Sequence, residues 1–349
     1  MPSGSPNQDV AAPVAGGRLR QRSVMWGCAL LLAAPCMAAA GAGQIRPGAV
    51  WNDRQGVAIN AHGAGVLRDR DGTYYWFGEY KTAGAGGNTA QVGVSVYRSR
   101  DLLHWDNRGI ALQVADDRQS DIAKGAVIER PKVLYNAATG RYVMWFHLER
   151  PGQGYKDARV GVAMAERVDG PYRYLRSFRP NGQESRDMTL FQDDDGSAYL
   201  FYSSEGNATM HVTRLRPDYL DTEPTFARIF VERWLEAPAV FKQAGRYYFL
   251  GSECTGWKPN TAHGATAPLP TGPWTEFGNP ARGEDAALTF HSQSAYVLPW
   301  PGRPEHFIYL GDRWNPGNPI DGRYVWLPLT LDGQGFRIDW RDAWSPARH

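Results

Sequence analysis

Five polar residues stand at equivalent places in five segments of the chain, each just before a short apolar run. Carboxylates, amides and imidazoles can move protons and hold polar substrates, so a group of them could carry out acid–base chemistry. Because the five come from distant segments, they can act together only if the fold brings the starts of five strands to one place. They are Asn60 or His62, Glu129, Asp187, Glu236 and Gln293.

Glu236 is the candidate for a general acid. It precedes Ala237, Pro238 and an apolar run, so we expect it to lie in a partly apolar wall. Burial there would raise the pKa of its carboxyl group and keep the group protonated near neutral pH. The alternative is a solvated charge in a loop, without a chemical role.

Two further carboxylates occupy the corresponding places in other segments. Asp187 could keep the candidate acid protonated through its negative charge, or it could form an ion pair with the adjacent Arg186. Glu129 could line the same site, or it could pair with Arg130 or Lys132. Three carboxylates at the same point of three repeats favour a shared site over three separate ion pairs.

The strands that must position these residues follow a repeated plan: an apolar strand, a tight turn, an aromatic strand and a third strand. Corresponding positions recur about every 50–65 residues, close to the length of one four-stranded propeller blade. The first strand of each blade lines the central channel of a propeller, which would bring the strand-start residues to one mouth. We therefore predict an all-β, five-bladed β-propeller with blades at about residues 58–112, 127–178, 186–231, 236–278 and 291–340.

Local signals support the blades and argue against other sites. Asp71-Gly72 lies between two apolar runs and predicts a hairpin, because such a turn needs a positive φ. The acidic turn at residues 193–196 resembles a calcium loop but lacks the alternating ligands and the distal Glu, so we interpret it as a hairpin turn. No zinc site, nucleotide loop or Ser-His-Asp triad is recognisable, and we predict no metal and no cofactor. Residues 41–57 are expected to form a strand or strap that helps to close the ring.

The first 40 residues are predicted to be a secretory signal peptide. Three arginines between positions 18 and 22 precede an apolar run at residues 25–40, and small alanines follow, as a signal peptidase requires. The apolar run is short for a membrane span, although a retained anchor is the alternative. We therefore expect the propeller to occupy residues 41–349, to be secreted or periplasmic, and to have no membrane contact once the signal is removed.

Charge and composition limit the classes of molecule that the protein is expected to bind. Without residues 1–40 the chain has 35 basic and 35 acidic residues, so its charge balance does not favour nucleic acid. Aromatic residues make up 12% of the chain and suit both the packing of blades and stacking on sugars. We expect a carbohydrate substrate, no nucleic acid partner and a monomer.

Several motifs taken together resemble glycoside hydrolase family 43. Two are Glu-Ala-Pro-Ala-Val-Phe at residues 236–241 and Arg-Asp-Met-Thr-Leu-Phe at residues 186–191. More narrowly, Glu-Arg-Pro-Lys at 129–132, the segment at 251–257 and Ser-Gln-Ser at 292–294 resemble the exo-β-1,3-galactanase branch of that family. The resemblance covers residues 45–345 and implies a five-bladed propeller that hydrolyses glycosidic bonds.

The resemblance also implies roles for individual residues. In the family, a blade-four Glu is the acid, a blade-three Asp tunes it and a blade-one Asp is the base; Glu236 and Asp187 match the first two. Residues 60–63, Asn-Ala-His-Gly, offer no Asp for the third role, a loss that the galactanase branch shares. In that branch a blade-five glutamine in its imidic-acid form serves as the base, and it matches Gln293. A neutral amide is a poor base, so Gln293 could instead position the water, with His62 and Glu129 as the next candidates.

Sugar contacts are implied in the same way. Some family members hold a metal or a water near the channel axis, close to the position of His291, but we predict no metal there. The positions that match or adjoin sugar-binding residues of the branch are Glu129, Tyr155, Asn207, Thr255 and Glu79.

These implications define the expected activity: an inverting exo-β-1,3-galactosidase that acts on the β-1,3-galactan of arabinogalactan. Inversion needs an acid and a base about 6.5–9.5 Å apart, a gap that opposite sides of a propeller mouth could supply. One alternative is arabinofuranosidase or xylosidase activity, against which the missing blade-one Asp argues. The other is a carbohydrate-binding propeller without catalytic activity.

Overall fold

The computed structural model describes residues 43–89 and 91–346, and in these residues 21 strands form five sheets. The predicted signal peptide, residues 1–40, lies outside the described residues. Each sheet is built from strands that are consecutive in sequence, as expected when one repeat makes one blade. The predicted all-β, five-bladed β-propeller is confirmed. Within the described part of the chain, no helix has the length and apolar character needed to cross a membrane.

The strands run outward from the first to the fourth in each blade, and neighbours are antiparallel. Blade one contains β1 (His62–Arg68), β2 (Tyr74–Lys81), β3 (Gln91–Ser99) and β4 (Asp106–Gln113). Blade two contains β5 (Val127–Asn136), β6 (Arg141–Glu149), β7 (Arg159–Ala165) and β8 (Arg173–Phe178). Blade three contains β9 (Met188–Gln192), β10 (Ala198–Ser204), β11 (Thr209–Leu215) and β12 (Thr222–Ile229).

The last two blades follow the same plan with one addition. Blade four contains β13 (Leu235–Gln243), β14 (Arg246–Glu253), β15 (Ala262–Ala267) and β16 (Thr275–Gly278). Blade five contains β18 (Gln293–Pro299), β19 (His306–Arg313), β20 (Arg323–Leu331) and β21 (Phe336–Asp339). The short strand β17 (Ala281–Arg282) pairs in parallel with β21 at the outer edge, an extension that the repeat did not predict.

The turns between first and second strands have the predicted chemistry. Gly72 adopts a φ of +82° in the turn between β1 and β2, which a glycine accepts without steric cost. The acidic turn at residues 193–196 connects β9 to β10 as a hairpin. Its Asp193 binds Lys242 and Tyr247 of blade four, so this turn ties two blades together.

Aromatic side chains of the second strands fill the spaces between blades. Five apolar clusters occupy the five blade-to-blade interfaces. Between blades five and one, the ring of Trp76 lies 4.8 Å from that of Trp326 and 5.3 Å from that of Trp105, centroid to centroid. Burial of such large rings is the main stabilising term for a fold in which neighbouring sheets share no strand.

The chain preceding blade one crosses the junction between blades five and one. Ile45 and Trp344 exchange backbone hydrogen bonds of 2.7 and 3.0 Å. The ring of Trp51 contacts those of Trp76 and Trp326 at 6.2 and 5.3 Å. The described part of the predicted strap therefore bridges the first and last blades.

Candidate active site

The strand starts surround one pocket of about 330 Å³, to which all five blades contribute side chains. Four strand-start residues line it together: Glu129, Asp187, Glu236 and Gln293. In blade one the lining residues come instead from the second strand, Glu79 and Lys81, and from the turn that follows it, Asn88.

Two of the carboxylates point into the pocket because the backbone bulges in the same way after each of them. Glu129 and Glu236 are each followed by a left-handed residue, Arg130 at φ +56° and Ala237 at φ +53°, and then by a proline. A proline fits here because a bulge interrupts the hydrogen-bond ladder, and bulges redirect side chains. The register shifts lie between Glu129 and Lys132 and between Glu236 and Ala239.

Glu236 has the electrostatic surroundings of a proton donor. Burial, and then the charge of Asp187, raise the pKa of its carboxyl group to about 8, against the opposing charge of Arg130. Its Oε1 accepts a 2.8 Å hydrogen bond from Nε2 of Gln293, and Nδ2 of Asn207 lies 3.5 Å from its Oε2. A carboxyl group that stays protonated at neutral pH can serve as a general acid.

Asp187 is held by partners from outside its own segment. Its Oδ2 accepts hydrogen bonds from Nη2 of Arg130 at 2.9 Å and from the backbone N–H of Ala237 at 3.0 Å. The adjacent Arg186 turns elsewhere, to Glu184 and to the carbonyl oxygen of Tyr155. The alternative of a local Asp187–Arg186 pair is therefore replaced by a pair that links blades two and three.

Both the oxygen and the nitrogen of the Gln293 amide form hydrogen bonds. Its Oε1 accepts hydrogen bonds from Nη2 of Arg130 at 2.6 Å and from Nε1 of Trp314 at 2.8 Å. Its Nε2 donates to Glu236 and, at 3.0 Å, to Oγ of Ser252. No gap of several ångströms separates Gln293 from Glu236 in the structure, because blades four and five are neighbours and the two side chains are in contact.

Glu129 belongs to a chain of buried charges. Its Oε1 accepts from the hydroxyl of Tyr155 at 2.7 Å and its Oε2 lies 3.0 Å from Nδ1 of His147. The other ring nitrogen, Nε2, lies 2.9 Å from Oε1 of Glu149. Burial disfavours charge at His147, but its bonds to the two carboxylates outweigh burial and raise its pKa to about 9. Burial also disfavours the Glu129 carboxylate, yet the bond from His147 lowers its pKa to about 2.

In blade one, where the sequence offers no aspartate as a base, Asn60 and His62 make structural contacts. Asn60 is buried and pairs with the backbone of Lys81, through bonds of 2.7 and 2.9 Å. His62 is fully buried, stacked on Tyr324 and 3.7 Å from Asp312. Neither residue lines the pocket, so His62 is not placed to accept a proton there.

The predicted sugar-binding residues fall in two groups. Glu79, Glu129, Tyr155 and Asn207 line the pocket, and Glu79 also forms a buried 2.6 Å ion pair with Lys81. Thr255 is exposed, and its hydroxyl is engaged within its own loop, with Lys258 and Asn260. The next two residues of that loop, Gly256 and Trp257, line the pocket in its place. A sugar contact by any of these residues stays a prediction.

Several residues of the site were not identified from the sequence. The sequence indicates Arg130 only as a local partner of Glu129, although the Glu-x-Pro pattern that blades two and four share marks its turn. His147 lies within β6 and Trp314 directly follows β19, and neither carries a local signal. Cys254, half-buried, contacts the carbonyl oxygen of Trp234 at 3.1 Å. Burial and the nearby charge of Glu236 raise the pKa of its thiol to about 12, so it is a poor nucleophile.

One group of side chains has the spacing of a metal site. Ligand atoms of Glu129, His147 and Asp187 lie within 4.8 Å of one another. A metal requires a neutral imidazole with a free nitrogen, whereas both nitrogens of His147 face carboxylates and its raised pKa favours the charged ring. The arrangement suits a buried ion pair better than a metal centre.

Comparison with known proteins agrees with this geometry. The sequence profile of glycosyl hydrolases family 43 matches residues 59–304. A family 43 β-1,3-galactosidase, solved with galactodeoxynojirimycin, is 42% identical and superimposes with a TM-score of 0.83 over 86% of this chain and 100% of that chain. A variant of the exo-β-1,3-galactanase from Phanerochaete chrysosporium, solved with β-1,3-galactotriose, is 38% identical, with a TM-score of 0.80 over 86% of this chain and 68% of that chain.

A more distant relative has a different name. The β-D-galactofuranosidase from Aspergillus niger is 26% identical over 249 residues, which are 67% of this chain and 69% of that protein. The family profile spans blades one to four and the first strand of blade five, and so includes Glu129, Asp187, Glu236 and Gln293. The chain therefore belongs to glycosyl hydrolases family 43, resembles the exo-β-1,3-galactanases within it, and is a glycoside hydrolase.

Proposed function

We propose that this glycoside hydrolase is an inverting exo-β-1,3-galactosidase that removes terminal galactose from the β-1,3-galactan of arabinogalactan. The observation that carries the proposal is Glu236, a pocket carboxyl group whose pKa is raised to about 8 and which touches Gln293. The pocket volume of about 330 Å³ is at the lower end of the range for small-molecule sites, about 300–1,000 Å³. A small pocket of this kind favours the end of a chain over its middle.

In the proposed reaction, Glu236 gives its proton to the glycosidic oxygen as the bond to the anomeric carbon breaks. A water attacks the opposite face of the sugar, and its proton passes to a base. The charge of Asp187 keeps Glu236 protonated before the reaction. Inversion needs about 6.5–9.5 Å between acid and base. Gln293 can therefore act as the base only if its 2.8 Å contact with Glu236 opens. Otherwise Gln293 positions the attacking water for another base. Of the two other candidates for the base, His62 and Glu129, only Glu129 lines the pocket.

Galactose specificity is supported by the relatives and by blade one. The two similar structures described above are named for β-1,3-galactosidase and exo-β-1,3-galactanase activity. Asn60 and His62 stand where the arabinofuranosidase and xylosidase pattern expects an aspartate, and both are engaged in structural contacts. A galactofuranosidase activity, the name of the Aspergillus niger relative, is the competing specificity to be tested alongside.

The decisive experiment is NMR analysis of the products from β-1,3-galactobiose and β-1,3-galactan. We expect galactose from chain ends, with the α-anomer appearing first. Glu236→Gln should lower kcat by about 10²-fold or more, the usual scale of general acid catalysis, and by less on a dinitrophenyl galactoside, whose leaving group needs no proton. Glu232→Gln, an exposed change four residues away, is the matched control.

Other outcomes would contradict parts of the proposal. Early release of β-galactose would exclude inversion, and hydrolysis of galactofuranosides or arabinofuranosides alone would exclude the specificity. Tight binding of β-1,3-galactan without turnover would favour the non-catalytic carbohydrate-binding propeller. Equal losses in Glu236→Gln on both substrate types would remove Glu236 from the acid role.

Export and assembly form the last part of the proposal. Residues 1–40 have the charge and apolar pattern of a signal peptide, so we propose that the mature enzyme is secreted or periplasmic and monomeric. Amino-terminal sequencing of the exported protein should begin near residue 41. Light scattering of the purified protein should give the mass of one chain, and a dimer mass would contradict the monomer.

A further inference from the structure

We propose that the loop between β2 and β3, residues 82–89, is the wall that restricts this pocket to the end of a galactan chain. The inference rests on the galactosidase function proposed above, and it names the part of the fold that makes the enzyme exo-acting. This segment of blade one, the glycine-rich loop, includes Gly84, Gly86 and Gly87. Its residue Asn88 lines the pocket, whereas the sugar-contact positions implied above all lie outside the loop.

The glycine-rich loop is attached to the blades on both sides of blade one. Toward blade two, Nδ2 of Asn88 donates a hydrogen bond to the hydroxyl of Tyr155, which in turn donates to Oε1 of Glu129 at 2.7 Å. Toward blade five, the N–H of Gly84 donates to Oδ1 of Asn318 at 3.0 Å. The loop therefore spans the rim of the pocket from blade two to blade five.

Local hydrogen bonds give this loop and its blade-five partner their shape. Gly84 has a φ of +96°, which glycine accepts without steric cost. The hydroxyl and the backbone N–H of Thr89 both donate to the carbonyl oxygen of Gly86, at 2.9 and 3.3 Å. On blade five, the N–H of Asn318 donates to the carbonyl oxygen of Asn315 at 3.1 Å. The wall therefore consists of two folded turns that a hydrogen bond joins.

The glycine-rich loop lies across the pocket from the proposed acid. Glu236 belongs to blade four, which packs against blades three and five, so blades one and two are the blades that face it. The proposed reaction breaks the bond between the anomeric carbon and the next unit at Glu236. Asn88, after β2, and Tyr155, between β6 and β7, line the opposite side of the pocket. The part of the galactose that points away from the broken bond therefore meets this wall.

The position of the wall selects between terminal and internal units of the chain. In the middle of a β-1,3-galactan, each galactose is bonded through C1 to one neighbour and through O3 to the other. An internal unit in the pocket would need room for the second neighbour on the side away from Glu236, where Asn88 and Tyr155 stand. A steric clash of this kind excludes a competing binding mode. A terminal unit has only a hydrogen on O3 and is accepted.

Deletion of residues 83–87 tests the proposal. Lys81 pairs with Gln91 at the base of the loop, and the deletion leaves four residues between them, a common length for a hairpin connection. It removes the attachment to Asn318 and withdraws Asn88 from the pocket. The substrates are β-1,3-galactotriose and the same trisaccharide with a benzyl ether on O3 of its terminal galactose. The benzyl group takes the place that a preceding galactose would have on an internal unit.

The two substrates should respond in opposite directions. We expect the deletion variant to cleave the benzylated trisaccharide at least about 10-fold faster than the wild type, since overpacking of this kind is removed with the loop. On the free trisaccharide its kcat/KM should fall by about 10-fold, the usual scale for the loss of one hydrogen-bonding group from a site. On β-1,3-galactan, size-exclusion chromatography should show galactose alone from the wild type and oligosaccharides in addition from the deletion variant.

The control is Asn107→Ala, in the outer strand of the same blade, where an exposed asparagine also accepts from a backbone N–H. It should behave as the wild type on both substrates. If the deletion variant does not fold, Asn88→Gly combined with Asn318→Ala removes both side-chain attachments and should give the same gain. Rapid cleavage of the benzylated trisaccharide by the wild type, or no gain in a folded variant, would overturn the proposal. Failure of the wild type to cleave the free trisaccharide would instead refute the proposed function.

Discussion

At the scale of single residues, the site keeps one carboxyl group neutral among several charges. Burial and the charge of Asp187 raise the pKa of Glu236, and the charge of Arg130 opposes them. Arg130 in turn is paired with Asp187 at 2.9 Å. The pKa of Glu236 therefore depends on both members of the Arg130–Asp187 ion pair, although Glu236 is not part of that pair.

Replacement of Asp187 by Asn is expected to move the alkaline limb of the pH–rate profile to lower pH. Loss of the negative charge removes one of the two effects that raise the pKa of Glu236 from 4.5 to about 8, and it leaves the opposing charge of Arg130 unpaired. The measurement is kcat against pH, from pH 4 to 10. Asp218→Asn, an exposed change at the turn between β11 and β12, should leave the limb unmoved. An unchanged limb in Asp187→Asn would restrict Asp187 to contact with the sugar.

The charge on His147 gives stability its own pH dependence. The pKa of this buried ring is raised from 6.5 to about 9 through its bonds to Glu129 and Glu149, against burial. The imidazolium therefore stabilises the folded protein fully below pH 6.5, and this contribution is lost as the pH rises toward 9. We expect the difference in unfolding free energy between wild type and His147→Gln to be largest at pH 6 and to shrink by pH 9. Urea unfolding measures it, with the exposed His104→Gln as control; a constant difference would contradict the assignment.

At the scale of strands, the site depends on interruptions of regular pairing. The bulges at Glu129 and Glu236 turn two carboxylates into the pocket, and a third irregularity follows His62 in β1. Gly63, at φ +59°, lies in that bulge; a Cβ added there would come 2.1 Å from Oε1 of Glu79. Since that oxygen also binds the N–H of Arg130, the bulge of blade one supports the turn of blade two.

Gly63→Ala is expected to damage both stability and activity, whereas Gly56→Ala should affect stability alone. Both glycines have positive φ, so each alanine costs about 1–2 kcal/mol for the left-handed conformation. Gly56 faces open space, but at Gly63 the displaced Glu79 adds about 1–3 kcal/mol of overpacking. Thermal unfolding and kcat on β-1,3-galactobiose measure the two effects. Equal losses in the two variants would show that the Glu79 contact is unimportant.

The sequence predicted the strands better than the bulges. Aromatic second strands and turn residues such as Asp71-Gly72 located all five blades, because alternation and turn chemistry are local properties. The left-handed turn at Arg130 is marked only by the Glu-x-Pro pattern, because arginine does not favour a positive φ. The side chains that enforce it are Glu79, on the second strand of another blade, and Lys132, across the turn. For the same reason the sequence indicates the adjacent Arg186 as the partner of Asp187, whereas in the structure the partner is Arg130.

At the scale of the whole molecule, the ring closes without a shared strand. Blades one and five are each built from consecutive strands, so their junction depends on side-chain packing and on the strap. Trp51 lies in the strap and contacts Trp76, Tyr324 and Trp326 with its ring. Opening this junction would separate Glu79, near the end of β2, from Gln293, at the start of β18.

Trp51→Ala is therefore expected to lower stability and leave the chemistry of the closed ring intact. Loss of a partly buried indole should cost about 2–3 kcal/mol, somewhat less than the 3–5 kcal/mol typical of fully buried rings. Thermal unfolding should show a lower Tm, while kcat at 25 °C stays within about 2-fold because Trp51 does not line the pocket. Trp234→Ala, at a residue that is 55% exposed, is the control for stability and should leave Tm nearly unchanged. If Trp51→Ala has the Tm of the wild type, the indole of Trp51 does not stabilise the closed ring. Closure would then depend on the Trp76–Trp326 packing and the Ile45–Trp344 bridge.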